Sequence, residues 1–257
     1  GFAPAQAQQI ELVARRRLIG FGARAMGPGD GWVLEKLAEA GVGTGGIARL
    51  PGVATGHAII LVDDSGENSI ILHGGANHAL PADLPARDLA GIGPGDILML
   101  QNETNLQAEA AAHARAAGAR VIYSAAPFQI EALRAVLPHV SVLAVNEVEA
   151  RDTFAAFGEA LPVEAMLITR GAEGAEYRDL RSGQVWHQPA FKVQAVDTTG
   201  AGDCFAGWFA AGLSRGEDPQ TALRHAAAAA AIQVTRKGAG DAMPDRAEVM
   251  DFLKERG

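Results

Sequence analysis

"DILMLQNETNLQAEAAAHARAAGARVIY" (96–123) joins two short apolar runs through one Ala-rich segment. "DILML" (96–100) and "ARVIY" (119–123) read as buried strands, because short apolar runs bounded by turn signals suit a strand covered on both faces. Ala108 to Ala117 between them reads as a helix, with Gly118 as its stop. Strand, helix and strand at this spacing make a crossover unit, which sets the strands parallel. The unit recurs. "VSVLAV" (140–145) and "AMLIT" (165–169) are further strands, separated by helices over Phe128 to Leu137, stopped by Pro138, and Glu147 to Phe157, stopped by Gly158. The fold class is therefore α/β, a mostly parallel central sheet with helices on both faces. Ligands of such sheets gather at the carboxyl ends of the strands.

Two regions break the alternation. "TGHAIILVDDSGENSIILHGGAN" (55–77) reads as a hairpin turning at Asp64–Gly66, placed as a flap or lid. "GAEYRDLRSGQVWHQP" (174–189) reads as a second hairpin that extends the sheet edge, turning near Arg181–Gly183. "FKVQAV" (191–196) reads as one more strand. Pro219 opens a helix through "TALRHAAAAAAIQV", whose Ala run lets it approach a neighbour closely. No repeat or low-complexity linker divides the chain, so residues 1–257 read as one domain with a lid at about 55–77.

Composition narrows the functional classes. With 48% apolar residues in 257, a sizeable core is available. A net charge of −8 argues against a nucleic-acid surface, which is normally basic. A small anionic ligand is still compatible, because backbone amides bind anions locally. Cys204 is the only cysteine, so no intrachain disulfide forms and a reducing cytoplasm is expected. No apolar run is long enough to span a bilayer, and no signal peptide is visible, so no membrane association is expected.

"DTTGAGDCFAGWFAAGL" (197–213) carries the chemistry. Glycines stand at a strand-to-helix turn, and Phe205, Trp208, Phe209 and Leu213 recur at helical spacing after it. Exposed amides at a helix N-terminus bind an anion, and glycine permits close approach. Asp203 in the first turn is placed to take a proton from a hydroxyl. These are the parts of phosphoryl transfer from a nucleotide to an alcohol. No Walker A lysine motif follows any strand.

The same turn resembles the C-terminal signature of the ribokinase (PfkB) carbohydrate kinases. Other stretches agree in order: the 55–80 segment resembles the lid side, "VNEVEA" the N-x-x-E motif, "LITRGAEGAEY" the nucleotide loop, and "HAAAAAAIQVTRKGAG" the C-terminal helix and loop. The resemblance implies a three-layer, Rossmann-like α/β fold with a small β lid. It also implies ATP-dependent phosphorylation of a sugar's primary hydroxyl, ribose first among the sugars. Another family kinase acting on fructose, a sugar acid or a nucleoside is the alternative, as is a weakly catalytic binding regulator. By the resemblance, Asp203 is the catalytic base, also touching the sugar, and the amides of Gly200, Ala201 and Gly202 form the anion hole. Asn146 and Glu149 organise Mg²⁺ and phosphates, largely through water. Thr169, Gly171 and Gly174 line the nucleotide, with His225 near the adenine. Asp197, Thr199 and Gly238 belong to a monovalent cation (K⁺) site, and Glu103 and Gly1 contact the sugar. A homodimer through the lid is the implied partner arrangement. Each motif also has a local reading: Asn146 and Glu149, for example, fit a helix N-cap and its third position.

The N-terminus departs from the pattern. By the resemblance, a first strand with a sugar-binding Asp is expected before Gly1. "GFAPAQAQ" (1–8) aligns loosely with the next sugar-binding stretch, with Phe2 and Ala5 in place of Lys and Asn. The sugar side is therefore expected to be the weakened part of the site.

Overall fold

The computed structural model describes residues 18–20, 22–24, 31–62 and 68–256. The strands are β1 (Leu18–Gly20), β2 (Gly22–Arg24), β3 (Ile47–Arg49), β4 (His57–Val62), β5 (Asn68–His73), β6 (Ile97–Gln101), β7 (Arg120–Ser124), β8 (Val142–Asn146), β9 (Ala165–Thr169), β10 (Ala175–Asp179) and β11 (Val185–Gln188). The helices are α1 (Gly31–Glu39), α2 (Leu84–Asp88), α3 (Gln107–Ala116), α4 (Ile130–Val136), α5 (Glu147–Phe157), α6 (Ala201–Ser214), α7 (Pro219–Gln233) and α8 (Arg246–Arg256).

A seven-stranded sheet runs in the order β1-β6-β7-β8-β9-β10-β11. The first five strands are parallel; β10 pairs antiparallel with β9, and β11 antiparallel with β10. Alternation along each strand sends its residues to two different cores. Leu98, Leu100, Val121, Tyr123, Leu143, Val145, Met166 and Ile168 meet α3, α4 and α5 on one face. Ile97, Met99, Ile122, Val142, Ala144, Ala165 and Leu167 meet α6, α7 and α8 on the other. Both faces being covered, these strands read as continuous apolar runs rather than alternating ones. The three-layer α/β arrangement expected from the sequence is the one found. The Ala run of α7 packs as expected too: Ala222, Ala226, Ala228 and Ala229 are fully buried against α6 and the sheet.

The hairpin over 174–189 extends the sheet edge as β10 and β11. β4 and β5 form a separate antiparallel pair outside the main sheet, and the turn assigned to Asp64–Gly66 lies outside the described residues. "FKVQAV" corrects the sequence reading, for residues 191–196 form no strand. Lys192, Gln194, Ala195 and Val196 are exposed. The segment is clasped by helices instead. Phe191 packs edge-on against Phe252 of α8, Arg256 donates to Lys192 O at 2.9 Å, and the N–H groups of Val196 and Asp197 bond Val234 O just past α7. Among the described residues no helix is long and apolar enough to cross a membrane.

Candidate active site

The carboxyl ends of β6, β8 and β9 place Gln101, Asn146 and Thr169 along one rim of the sheet, with Asn146 directly opposite Thr169 in the parallel register. The turn 197–200 brings the N-terminus of α6 to the same rim. Gly200, at the N-cap, has φ +78°. A side chain there would be strained, and its Cβ would lie 3.1 Å from Ala239 Cβ. Glycine thus lets the 235–240 loop close against the turn. Ala201 N–H bonds Thr198 O at 3.2 Å. The N–H groups of Gly202 and Asp203, in the first helical turn, have no intrahelical acceptor and suit an anion.

Asp203 lies in the first turn of α6. Gln101 Nε2 donates to its Oδ1 at 2.5 Å. Burial raises the Asp203 carboxyl above the usual aspartate range, and the Gln101 hydrogen bond pulls it part of the way back. Glu103, two residues beyond Gln101, is raised first by burial and then by the charge of Asp203, with His78 acting in the opposite sense. Two carboxylates therefore share one partly desolvated space. The loop carrying Glu103 is fixed by Asn105, which accepts from Leu80 N at 3.0 Å and donates to Leu80 O at 3.1 Å. That ties the loop to the foot of the β4–β5 hairpin.

Asp197 closes the turn from below. Its Oδ1 accepts from Thr199 N and its Oδ2 from Gly238 N, both at 2.9 Å. Those bonds, Gly238's first, hold its carboxyl below the ordinary range. Gln233, the last residue of α7, is fully buried. Its Nε2 lies 2.6 Å from Thr199 O and 3.4 Å from Gly238 O.

Asn146 and Glu149 form a capping box. Asn146 Oδ1 accepts from Glu149 N at 2.9 Å, and Glu149 Oε2 accepts from Asn146 N at 2.8 Å. The local reading of this pair is present in the structure, and burial also raises the Glu149 carboxyl. Thr169 leads into Gly171–Gly174, where Arg170 pairs with buried Glu176 at 2.8 Å. Gly174 has a local reason too: a Cβ there would lie 2.1 Å from Gln188 O.

His225 is not brought to this rim. Its Nδ1 lies 2.9 Å from Glu217 Oε2, beyond the far end of α6 from Gly200, and the ring is 14% exposed. It faces Glu217 across the α6–α7 connection and bonds that carboxylate. Gly1 lies outside the described residues. Two residues that sequence reasoning passed over, Gln101 and Gln233, hold Asp203 and the turn. A glutamine ending a strand or a helix carries no motif, and only the fold reveals its partner.

The profile of the pfkB family carbohydrate kinase matches residues 31–246. The ribokinase of Haemophilus influenzae is 36% identical over 233 residues, covering 85% of this chain and 75% of that protein. A structure of Arabidopsis thaliana ribokinase complexed with ribose and ATP superposes with a TM-score of 0.78 at 27% identity, covering 91% of this chain and 81% of that one. Ribokinase from Cryptococcus neoformans in complex with ADP does so with a TM-score of 0.77 at 34% identity, covering 92% and 82%.

Proposed function

This chain belongs to the pfkB family of carbohydrate kinases and is an ATP-dependent sugar kinase; on that premise we propose that it transfers the γ-phosphoryl group of ATP to the primary hydroxyl of ribose. The observation that carries the reading is Asp203, a carboxylate in the first turn of α6, aimed by Gln101 and raised in pKa by burial. Ribose as the sugar is supported by the relatives above, one of which was solved with ribose and ATP.

In this reading Asp203 takes the proton of the attacking hydroxyl. A carboxyl raised above the usual range is a stronger base once ionised. The hydroxyl sits between Asp203 and the amides of Gly200, Ala201 and Gly202, which meet the charge on the transferring phosphoryl group. For Ala201 this requires its 3.2 Å bond to Thr198 O to give way. Glu103 hydrogen-bonds the sugar. Asn146, Thr169, Gly171 and Gly174 border the nucleotide along the carboxyl rim. The lid hairpin closes over the sugar, and its exposed Ile71 suits a second copy of the chain, giving a homodimer.

Among the described residues no cluster of three or more carboxylate, imidazole or thiolate groups forms a metal cage. The residues present therefore fit a Mg²⁺ carried on the nucleotide's phosphates, with Glu149 reaching it through water. When bound, that ion neutralises phosphate charge. The monovalent cation implied at Asp197, Thr199 and Gly238 does not fit. Each oxygen of Asp197 accepts from a backbone N–H, and the Gln233 amide nitrogen already stands against the carbonyls of Thr199 and Gly238.

The test is ADP formation at saturating ATP across ribose, deoxyribose, fructose, a sugar acid and a nucleoside. Ribose is expected to give the highest kcat/KM. A nucleoside or fructose giving a higher value overturns the assignment of the sugar.

A further inference from the structure

We propose that the side-chain amide of Gln233 takes the place of a monovalent cation in this chain, joining the two loops that frame the anion-binding turn, so that turnover is independent of K⁺. The catalytic part of this claim rests on the kinase reading above; the structural part does not.

The two loops, 197–200 and 235–240, present backbone carbonyls to a common point. A cation would stand there as a positive centre shared by those oxygens. The amide nitrogen stands there instead, 2.6 Å from Thr199 O and 3.4 Å from Gly238 O. Its identity as nitrogen is fixed by chemistry, since a carbonyl oxygen accepts only from a donor and the other end of the amide is itself an acceptor. Its two N–H groups suit two carbonyls. The other end, Oε1, is buried with no hydrogen-bond partner among the described residues. A fully buried amide with its acceptor left unmatched is held in place by its donor end.

The rest of the junction is closed in the same way. Asp197 spends both oxygens on Thr199 N and Gly238 N, and Val234 O accepts from Val196 N and Asp197 N. The turn is thereby fixed by covalently attached groups before any phosphate arrives, which preorganises its amides except that of Ala201, whose N–H bonds Thr198 O. Gln233 acts through the carbonyls of Thr199 and Gly238, so it is a positioning residue.

Wild type, Gln233→Ala and Gln233→Met are compared in KCl and in tetramethylammonium chloride at equal ionic strength, by thermal unfolding without ligands and by steady-state turnover. Wild type is expected to unfold at the same temperature in both salts and to turn over within twofold. Gln233→Ala empties the position. Its midpoint is expected to rise with K⁺, and its turnover to fall at least tenfold in tetramethylammonium and recover in K⁺. Gln233→Met fills the position without donors, and is expected to lose turnover in both salts. Wild type activated more than fivefold by K⁺, or stabilised by it, overturns the proposal, since the amide then coexists with the ion. A folded Gln233→Ala that K⁺ does not rescue, or that equals wild type without K⁺, overturns it too. The unfolding comparison needs no sugar, so it stands whatever the sugar proves to be.

Discussion

Gln101 and Asp203 lie 102 residues apart in sequence and are joined by a 2.5 Å hydrogen bond from the glutamine amide to the carboxylate. The bond links the end of β6 to the first turn of α6. It therefore fixes the Asp203 carboxylate relative to the sheet that carries Asn146 and Thr169.

Removing that bond should move a pH profile in a definite direction. The donated N–H stabilises the ionised form of Asp203 and opposes the rise caused by burial. In Gln101→Leu the Asp203 pKa rises further. Transfer requires the carboxylate, so the acid limb of log kcat/KM should shift to higher pH, with a smaller loss on the plateau. A lowered unfolding midpoint with an unshifted limb would assign Gln101 to structure alone.

The capping box and a role for Glu149 at Mg²⁺ can be separated. Glutamine replaces glutamate in such boxes, because it also accepts from the N-cap N–H. Glu149→Gln should unfold at the wild-type temperature but need more Mg²⁺ for half-maximal turnover, since the charge is gone. An unchanged Mg²⁺ requirement would leave the box as the whole explanation of the pair.

The lid supplies a prediction about motion. β4 and β5 pair only with each other among the described strands. Their amides should exchange faster than those of β6 to β9 in the free chain and become protected when ribose is added. Equal protection with and without ribose would make the hairpin a fixed element rather than a closing one.

How much was legible follows from what each segment needs. β6 to β9 were readable within about two residues because a strand covered on both faces must be apolar throughout. Glu147 to Phe157 was readable at both ends, with Asn146 capping it and Gly158 stopping it. "FKVQAV" misled because its alternation belongs equally to an extended segment clasped by helices. β1 was missed, for three residues after an arginine run give no periodicity. At the site, the position of Asp203 in the first turn of α6 was legible because glycines between an extended segment and an apolar helical run mark a helix start. Gln101 and Gln233 were not, since their meaning lies in partners distant in sequence. The partner of His225 was not legible, because a helix position does not reveal which neighbour the ring faces, and here it faces Glu217.

The most direct measurement is on Asp203→Asn. Asparagine keeps the shape, and its Oδ1 still accepts from Gln101. The native Asp203 pKa is raised, so its protonated form favours the fold at low pH and that contribution is lost as pH rises through the native pKa. At neutral pH the uncharged asparagine should therefore leave the unfolding midpoint equal or higher. Loss of a general base costs about 10²–10⁴-fold in rate. With saturating ATP and ribose, kcat should fall by that amount or more while ATP binding, followed by calorimetry, stays near wild type. A folded variant that binds ATP and retains kcat within fivefold of wild type would contradict the assignment of Asp203 as the base.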